Sequence, residues 1–439
     1  WLKPFWLKSS SPRAMAAEPP AEVAVVGAGV AGLTCALELE RGGVAVEVLE
    51  AAPRVGGRVQ TDDVEGHQLD VGFQILLDGY PEVRRTLDLP ALELRCFRPG
   101  AVLASGGRLN VVAHPLKCPG QLLRTVRTAS RWGLLSSCSD VFRLLRLAAG
   151  WLASRPHDVL RGAGAAETTE AFLQRLGLSR AIVGEFIRPF FEAIYVSPLR
   201  EQSAAMFQFV LRMLAFGGAC LPARGMRAVP EQLASKLRGA VRLSTAVEEV
   251  RAGALRVGGQ WRDYRAVVVA ADWPSAGNLL QLPPVSATRS STWYFSLPAP
   301  APIQEPFIVL QSYGDPSEPA GAERRVVNVG FPSAVQPSYA PSGRALAAVT
   351  VRGPCPEEAW VRAEVERVLG CDASAWRHLR TYDIEFHQPA QACLWPLDSA
   401  PLEVCGVWCC GDHRANPTLD GAMRSGRRVA EALLRRLQS

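Results

Sequence analysis

The sequence predicts an α/β fold in which a parallel-sheet domain, built from distant segments, is interleaved with an α+β domain. Three observations predict it. A strand, a glycine-rich turn, a helix and a second strand open the chain at 21–50. A short apolar strand, a glycine–acid pair and an amphipathic helix close it at 407–437. Between them, a mainly helical stretch and a stretch of alternating strands lie on either side of another buried strand near 267–271. With 439 residues, the chain can hold two or three domains and a sizeable core.

The opening unit reads "EVAVVGAGVAGLTCALELERGGVAVEVLE". Val23–Val26 is an apolar run bounded by glycine, as a strand buried on both faces requires. Gly27, Gly29 and Gly32 follow as G-x-G-x-x-G. The first permits a tight turn, the second lets a pyrophosphate approach the backbone, and the third lets helix and strand pack closely. Leu33, Ala36, Leu37 and Leu39 form the helix's apolar face, and Gly42-Gly43 ends it. Glu50 closes the second strand, where a carboxylate can accept ribose hydroxyls. A helix N-terminus aimed at an anion completes a dinucleotide site.

Directly after Glu50 comes "AAPRVGGR", with Arg54, Gly56, Gly57 and Arg58. The glycine motif, the acid and this segment together resemble the FAD-binding start of the flavin amine oxidase superfamily. That superfamily includes monoamine oxidases, protoporphyrinogen oxidases and the phytoene desaturase group, and the resemblance leans toward its plastid and cyanobacterial desaturase-like members. It implies a Rossmann-like FAD-binding domain at 21–75, 226–280 and 395–439, and an α+β substrate domain at 76–225 and 281–394. It also implies that Arg54, Gly56, Gly57 and Arg58 run beside the flavin's phosphates and that "LDVGFQ" at 69–74 leads toward the isoalloxazine ring.

The resemblance supplies roles for two later segments. Val247 and Val250, in "VRLSTAVEEVRA", match a strand whose backbone brackets the adenine, and a hairpin turning at Gly258-Gly259 follows. In "CCGDHRANPTLDGAMRSG", Gly411 and Asp412 match the pair that ends a strand beside the ribityl or phosphate region. Leu419, Gly421 and Ala422 match the helix end that offers N–H groups to flavin C2=O. A metal reading of the same segment uses Cys405, Cys409, Cys410 and His413. Adjacent cysteines on a strand point to opposite faces, so the flavin reading is preferred and no metal is expected.

On the substrate side, the helical stretch "ETTEAFLQRLGLSRAIVGEFIRPFFEAIYVSP" is capped by Thr168 or Thr169. Phe73, Phe190, Phe191, Trp293 and Phe295 are candidate pocket aromatics. Gln74 and His387 are the candidate catalytic side chains. Relatives with amine oxidase activity place a lysine near flavin N5 and an aromatic two residues before the helix step. This chain has no lysine after Lys236, and Thr418 stands at the aromatic position. Both departures favour a desaturase- or isomerase-like oxidoreductase that acts on a small lipophilic substrate, isoprenoid or tetrapyrrole in type, by hydride transfer to flavin. The alternatives are a divergent flavin amine oxidase and a non-catalytic FAD-binding subunit of a larger, membrane-associated protein complex.

Charge and cysteine usage bound the partners. The net charge is +6, and residues 115–165 carry eight basic side chains against Asp140 and Asp158, with leucines between the arginines. Such a stretch suits either a solvated helix face or peripheral contact with an anionic membrane. No nucleic-acid module or aromatic–basic pattern is present, so nucleic acid is not an expected partner. The eleven scattered cysteines read as reduced thiols. The first twenty residues are basic and serine-bearing, with no acid before Glu18, and suit a transit-peptide remnant or a disordered tail. A plastid is the expected compartment, and the cytoplasm the alternative.

Overall fold

The computed structural model describes residues 21–105, 108–114, 117–131, 138–161, 167–283, 287–312, 325–389 and 400–439. The basic tail, the expected domain boundary at 395 and parts of the 115–165 stretch lie outside them.

A six-stranded sheet forms the first layer. Its strands run in the order Val241–Arg242, Val46–Leu49, Val23–Val26, Ala266–Val269, Val407–Cys409 and Glu403–Val404. The first five are parallel, and the last is a hairpin partner at the edge. The register pairs Val23 with Val46 and with Ala266. The three central strands are fully buried, which explains their valine-rich, non-alternating sequences. Strands more than two hundred residues apart thus form one sheet, as the sequence predicts for a domain assembled from distant segments.

The helix Val30–Arg41 covers one face of this sheet and packs along the C-terminal helix Leu419–Gln438. Both are built from the residues the periodicity marks: Leu33, Ala36, Leu37 and Leu39 are buried in the first, Val429 and Leu433 in the second. On the other face, a three-stranded antiparallel sheet (Val247–Arg251, Ala254–Val257, Gln260–Asp263) turns at Gly258-Gly259, both with positive φ.

The second layer is a seven-stranded sheet ordered Arg377–Pro389, Ala287–Pro298, Arg344–Arg352, Arg325–Gly330, Ile308–Gln311, Gly100–Ser105, Arg108–Ala113. All neighbours are antiparallel except Ile308–Gln311 with Gly100–Ser105. The last two strands come from the stretch read as mainly helical, so both substrate segments contribute to one sheet. The rest of that stretch is helical. Thr168 caps Thr169–Leu176 by accepting a bond from Ala171 N at 3.1 Å. A π-helical turn, Val183–Ile187, leads into Arg188–Tyr195.

The expectation that the thiols are all reduced is corrected at one pair. Strands Arg95–Cys96 and Ala219–Leu221 are antiparallel with Cys96 opposite Cys220, and the two form a disulfide across 124 residues of sequence. No spacing in the sequence announces this pairing, because it depends on a cross-strand register.

Candidate functional site

The carboxyl ends of the central parallel strands open onto an elongated cavity of about 850 Å³. Val26, Leu49 and Ala270, at or just past the strand ends, line it together with the turns that follow. This is where open α/β sheets bind ligands, because diverging loops leave a crevice there.

The glycines act in two different ways. A Cβ on Gly32 would lie 2.0 Å from Gly27 O, so only glycine lets the helix seat on the first strand. A Cβ on Gly29 would meet nothing within 4 Å and would project into open space, and Gly29 lines the cavity. Gly27, Gly56 and Gly57 also line it. Gly56 N donates to Ala28 O at 2.8 Å and closes the second turn against the first. Gly29 caps the first helix without a side-chain hydrogen bond, and no acid occupies the first turn. The helix therefore presents its positive end to the cavity.

Glu50 faces the same space. Its carboxylate accepts from Ala28 N at 2.7 Å and Ala52 N at 2.8 Å, which fixes its orientation at the end of the second strand. Val247 lines this end with Thr245, Ala246 and Glu248. Arg54 departs from its expected place. It turns away to Asp62 at 2.6 Å and is not part of the lining, because Asp62 also gathers Arg380 and Tyr382 into one polar cluster.

Arg58 and Asp412 meet at the middle of the cavity, 2.7 Å apart. Arg58 also donates to His387 O. Burial alone would push the Asp412 carboxyl up, but the Arg58 charge and the His413 side chain hold it well below the usual carboxylate range. Asp412 is therefore ionised at neutral pH. Gly411 lines the cavity, and its amide donates to Ser425 Oγ at 3.0 Å.

Leu419 and Ala422, at the start of the C-terminal helix, line the far wall with Thr418, which caps that helix by accepting from Gly421 N at 3.0 Å. Gly421 itself lies behind the wall, where a Cβ would sit 2.1 Å from Asn416 O. Tyr80, which no motif marks, also lines this end and hydrogen-bonds with Thr418. Burial and the charge of Asp420 raise its hydroxyl pKa above the ordinary value, so it stays protonated.

Gln74 and His387 both reach the cavity. Gln74 Nε2 donates to Arg58 O and Val71 O, each at 2.8 Å, so its amide clamps the loop that carries Arg58. His387 is partly buried, and desolvation together with the Arg58 charge pushes its pKa down to about 4. It is a neutral imidazole whose Nδ1 lies 2.9 Å from Ser290 Oγ. Ser290 and Tyr80 are residues that sequence reasoning missed, since neither belongs to a spaced motif.

The aromatic candidates divide. Phe73 lines the cavity. Trp293 and Phe295 are core instead, because strand alternation places them opposite Tyr294, on the face that packs against Trp376 and the helix Glu358–Leu369. Phe191 packs within the helical core against Phe207, and Phe190 stacks on Phe186. The apolar wall comes from Phe73, Ile75, Ile194, Val210 and Ile384.

Nor do the cysteines of the closing segment gather. Cys409 Sγ lies 3.8 Å from His413 Nε2, whereas Cys410 turns to Cys35 on the first helix. Burial pushes the Cys409 thiol up to about 12, the opposite of what a thiolate ligand or nucleophile needs.

The cavity suits FAD. Its glycine-walled, N–H-rich middle can take a pyrophosphate, Glu50 faces the adenosine end, and the C-terminal helix end borders the ring end.

The flavin containing amine oxidoreductase family model matches residues 30–434. The chain is 22% identical over 287 residues to a 4,4'-diapophytoene desaturase of Staphylococcus aureus, covering 59% of this chain and 57% of that protein. It thus spans little more than half the length of that curated relative. Two solved structures share the fold. Cyclohexylamine oxidase from Brevibacterium oxydans superposes with a TM-score of 0.68 at 15% identity, covering 96% of this chain and all of that one. An oxidoreductase from Methanosarcina mazei superposes with a TM-score of 0.67 at 16% identity, covering 93% and 99%. With the family match running over nearly the whole chain, this chain belongs to the flavin containing amine oxidoreductase family, whose cofactor is FAD.

Proposed function

We propose that this protein is an FAD-dependent oxidoreductase that dehydrogenates or isomerises a small lipophilic substrate, isoprenoid or tetrapyrrole in type. One observation carries the reading. The ionisable lining groups Glu50, Arg58, Glu248, Asp272 and Asp412 all sit on segments of the FAD-binding domain, whereas the substrate wall is apolar or neutral. His387, Tyr80 and Tyr195 are the exceptions by position, and all three are uncharged. Such a wall offers an ammonium group no counter-charge, and burying an unpaired charge is costly.

FAD bound here would accept a hydride equivalent from a substrate C–H. The chain's residues do the rest. Phe73, Ile75, Ile194, Val210 and Ile384 hold an apolar chain and exclude water. Ile194 borders both cavity and solvent, which marks an entrance. His387, neutral and held by Ser290, can take or deliver a proton at its other ring nitrogen without charging the site at rest. Tyr80 keeps its proton and presents a donor beside Thr418. The match to a diapophytoene desaturase supports the same substrate class.

The test is anaerobic reduction of the FAD-loaded protein, followed by bleaching of the visible flavin band. Carotenoid precursors and porphyrinogens are compared with primary and secondary amines. Bleaching by a member of the first group is expected. Bleaching by amines alone, with peroxide released on re-aeration, would replace this reading with that of an amine oxidase.

A further inference from the structure

Two consecutive helices present the same six-residue pattern outward. In Leu122–Arg131 it is Leu122-Leu123-Arg124-Thr125-Val126-Arg127, and in Cys138–Leu152 it is Val141-Phe142-Arg143-Leu144-Leu145-Arg146. Each has two apolar residues, an arginine, a spacer, an apolar residue and an arginine. The i, i+4 spacing stacks Leu122 on Val126 and Val141 on Leu145, with Arg127 and Arg146 one turn beyond Leu123 and Phe142. Among the described residues, eleven large hydrophobic side chains are exposed, and seven of them lie on these helices. Phe142 is 67% and Leu152 75% exposed.

The helices are anchored by their other faces. Thr125 Oγ1 accepts from Ala113 N, and Thr128 is buried. Leu144, Leu147 and buried Trp151 face the interior. The outward apolar rows are therefore not a loose end of the core. The nearby acids are turned inward or engaged. Asp140 is buried against Arg143 and Ser179 N, and Glu305 pairs with Arg124 and Arg98. What remains outward is Leu, Val and Phe interleaved with exposed Arg127 and Arg146. Neither helix is long and apolar enough to cross a membrane.

We propose that these two helices dock on an anionic lipid bilayer, lying in the headgroup region. Apolar rows on short amphipathic helices, flanked by arginine, match the chemistry of that interface: the side chains enter the acyl boundary while the guanidinium groups stay at the phosphates. A protein partner would not need arginine repeated at the same helical offset beside each apolar row. The surface does not depend on which substrate the cavity takes.

The experiment is co-sedimentation of the full-length protein, without substrate, with vesicles of phosphatidylcholine alone and of phosphatidylcholine mixed with phosphatidylglycerol. Binding to the mixed vesicles is expected, weakening as salt is raised. Phe142→Ser with Leu145→Ser should weaken it by on the order of a hundredfold, at about tenfold for each apolar side chain withdrawn from the interface. Arg127→Gln and Arg146→Gln should each weaken it by about fivefold. Flavin absorbance of the variants, which should equal that of the parent, reports their folding. Protein that stays in the supernatant with both vesicle types overturns the proposal. So does a concentration-dependent dimer in light scattering that the Phe142→Ser, Leu145→Ser variant abolishes, since the face would then be an interface between copies of this chain.

Discussion

Asp70 is a carboxyl buried where the flavin domain meets the second sheet. Its Oδ1 accepts from Thr61 Oγ1 at 2.6 Å and Met226 N at 2.9 Å, and its Oδ2 accepts from the Tyr339 hydroxyl at 2.9 Å. Despite these three donors, burial pushes its pKa from 3.8 to about 6. The native state therefore holds a proton that the unfolded chain releases between pH 4 and 6. Stability from this group is present in full below the unfolded pKa and is lost as pH rises to 6. At about 1.4 kcal/mol for each pH unit, the native protein carries about 3 kcal/mol of cost at pH 8. Asp70→Asn removes the charge and keeps an acceptor for Thr61 and Met226, while its Nδ2 can donate to Tyr339. Redirecting the Tyr339 proton costs about 1 kcal/mol. The variant should therefore be about 2 kcal/mol more stable than the parent at pH 8, and the difference should fall to zero near about pH 4.5 and reverse toward about 1 kcal/mol in the parent's favour below it. Urea unfolding of both proteins at several pH values measures this. Taking the difference also removes the opposite trend from His387, whose depressed pKa costs native stability as pH falls from 6.5 toward 4. A variant less stable at pH 8, or a difference that does not change with pH, would refute the reasoning.

The two motif glycines should separate on substitution. Gly29→Ala should fold with a melting temperature close to the parent's but lose flavin, because its Cβ enters only the cavity. Gly32→Ala should fail to accumulate as folded protein, because its Cβ collides with Gly27 O. Equal flavin content in Gly29→Ala and the parent would count against the assigned cavity. The Arg58–Asp412 pair should be asymmetric, since the Asp412 side chain is 7% exposed and that of Arg58 37%. Arg58→Ala strands a buried carboxylate and should cost about 3–5 kcal/mol, while Asp412→Ala leaves an arginine that can rehydrate and should cost less. Thermal melts in the reverse order would contradict this. Peptide mapping without reductant should recover Cys96 linked to Cys220, and finding both alkylated as free thiols would remove that bond.

Local chemistry determined one part of this protein. The strand–glycine–helix–strand unit, Glu50 at its end, the Gly258-Gly259 hairpin and the closing glycine–acid–helix segment are each specified by neighbours in sequence. Period, turn residue and cap suffice to place them, and Gly27, Gly29, Glu50, Gly411 and Asp412 among them line the cavity. Tertiary structure decided the rest. Arg54 left the site because it pairs with Asp62, whose other oxygen is held by Arg380 from more than three hundred residues away. Trp293 and Phe295 became core because their strand turned that face toward the helix Glu358–Leu369, a choice that alternation alone leaves open. Cys96 met Cys220, and Ser290 met His387, through cross-strand register and sheet packing. The exposed arginine–leucine rows show the same division. The pattern is plain in the sequence, but whether those rows are buried or face outward depends on which sides of the two helices the core claims first.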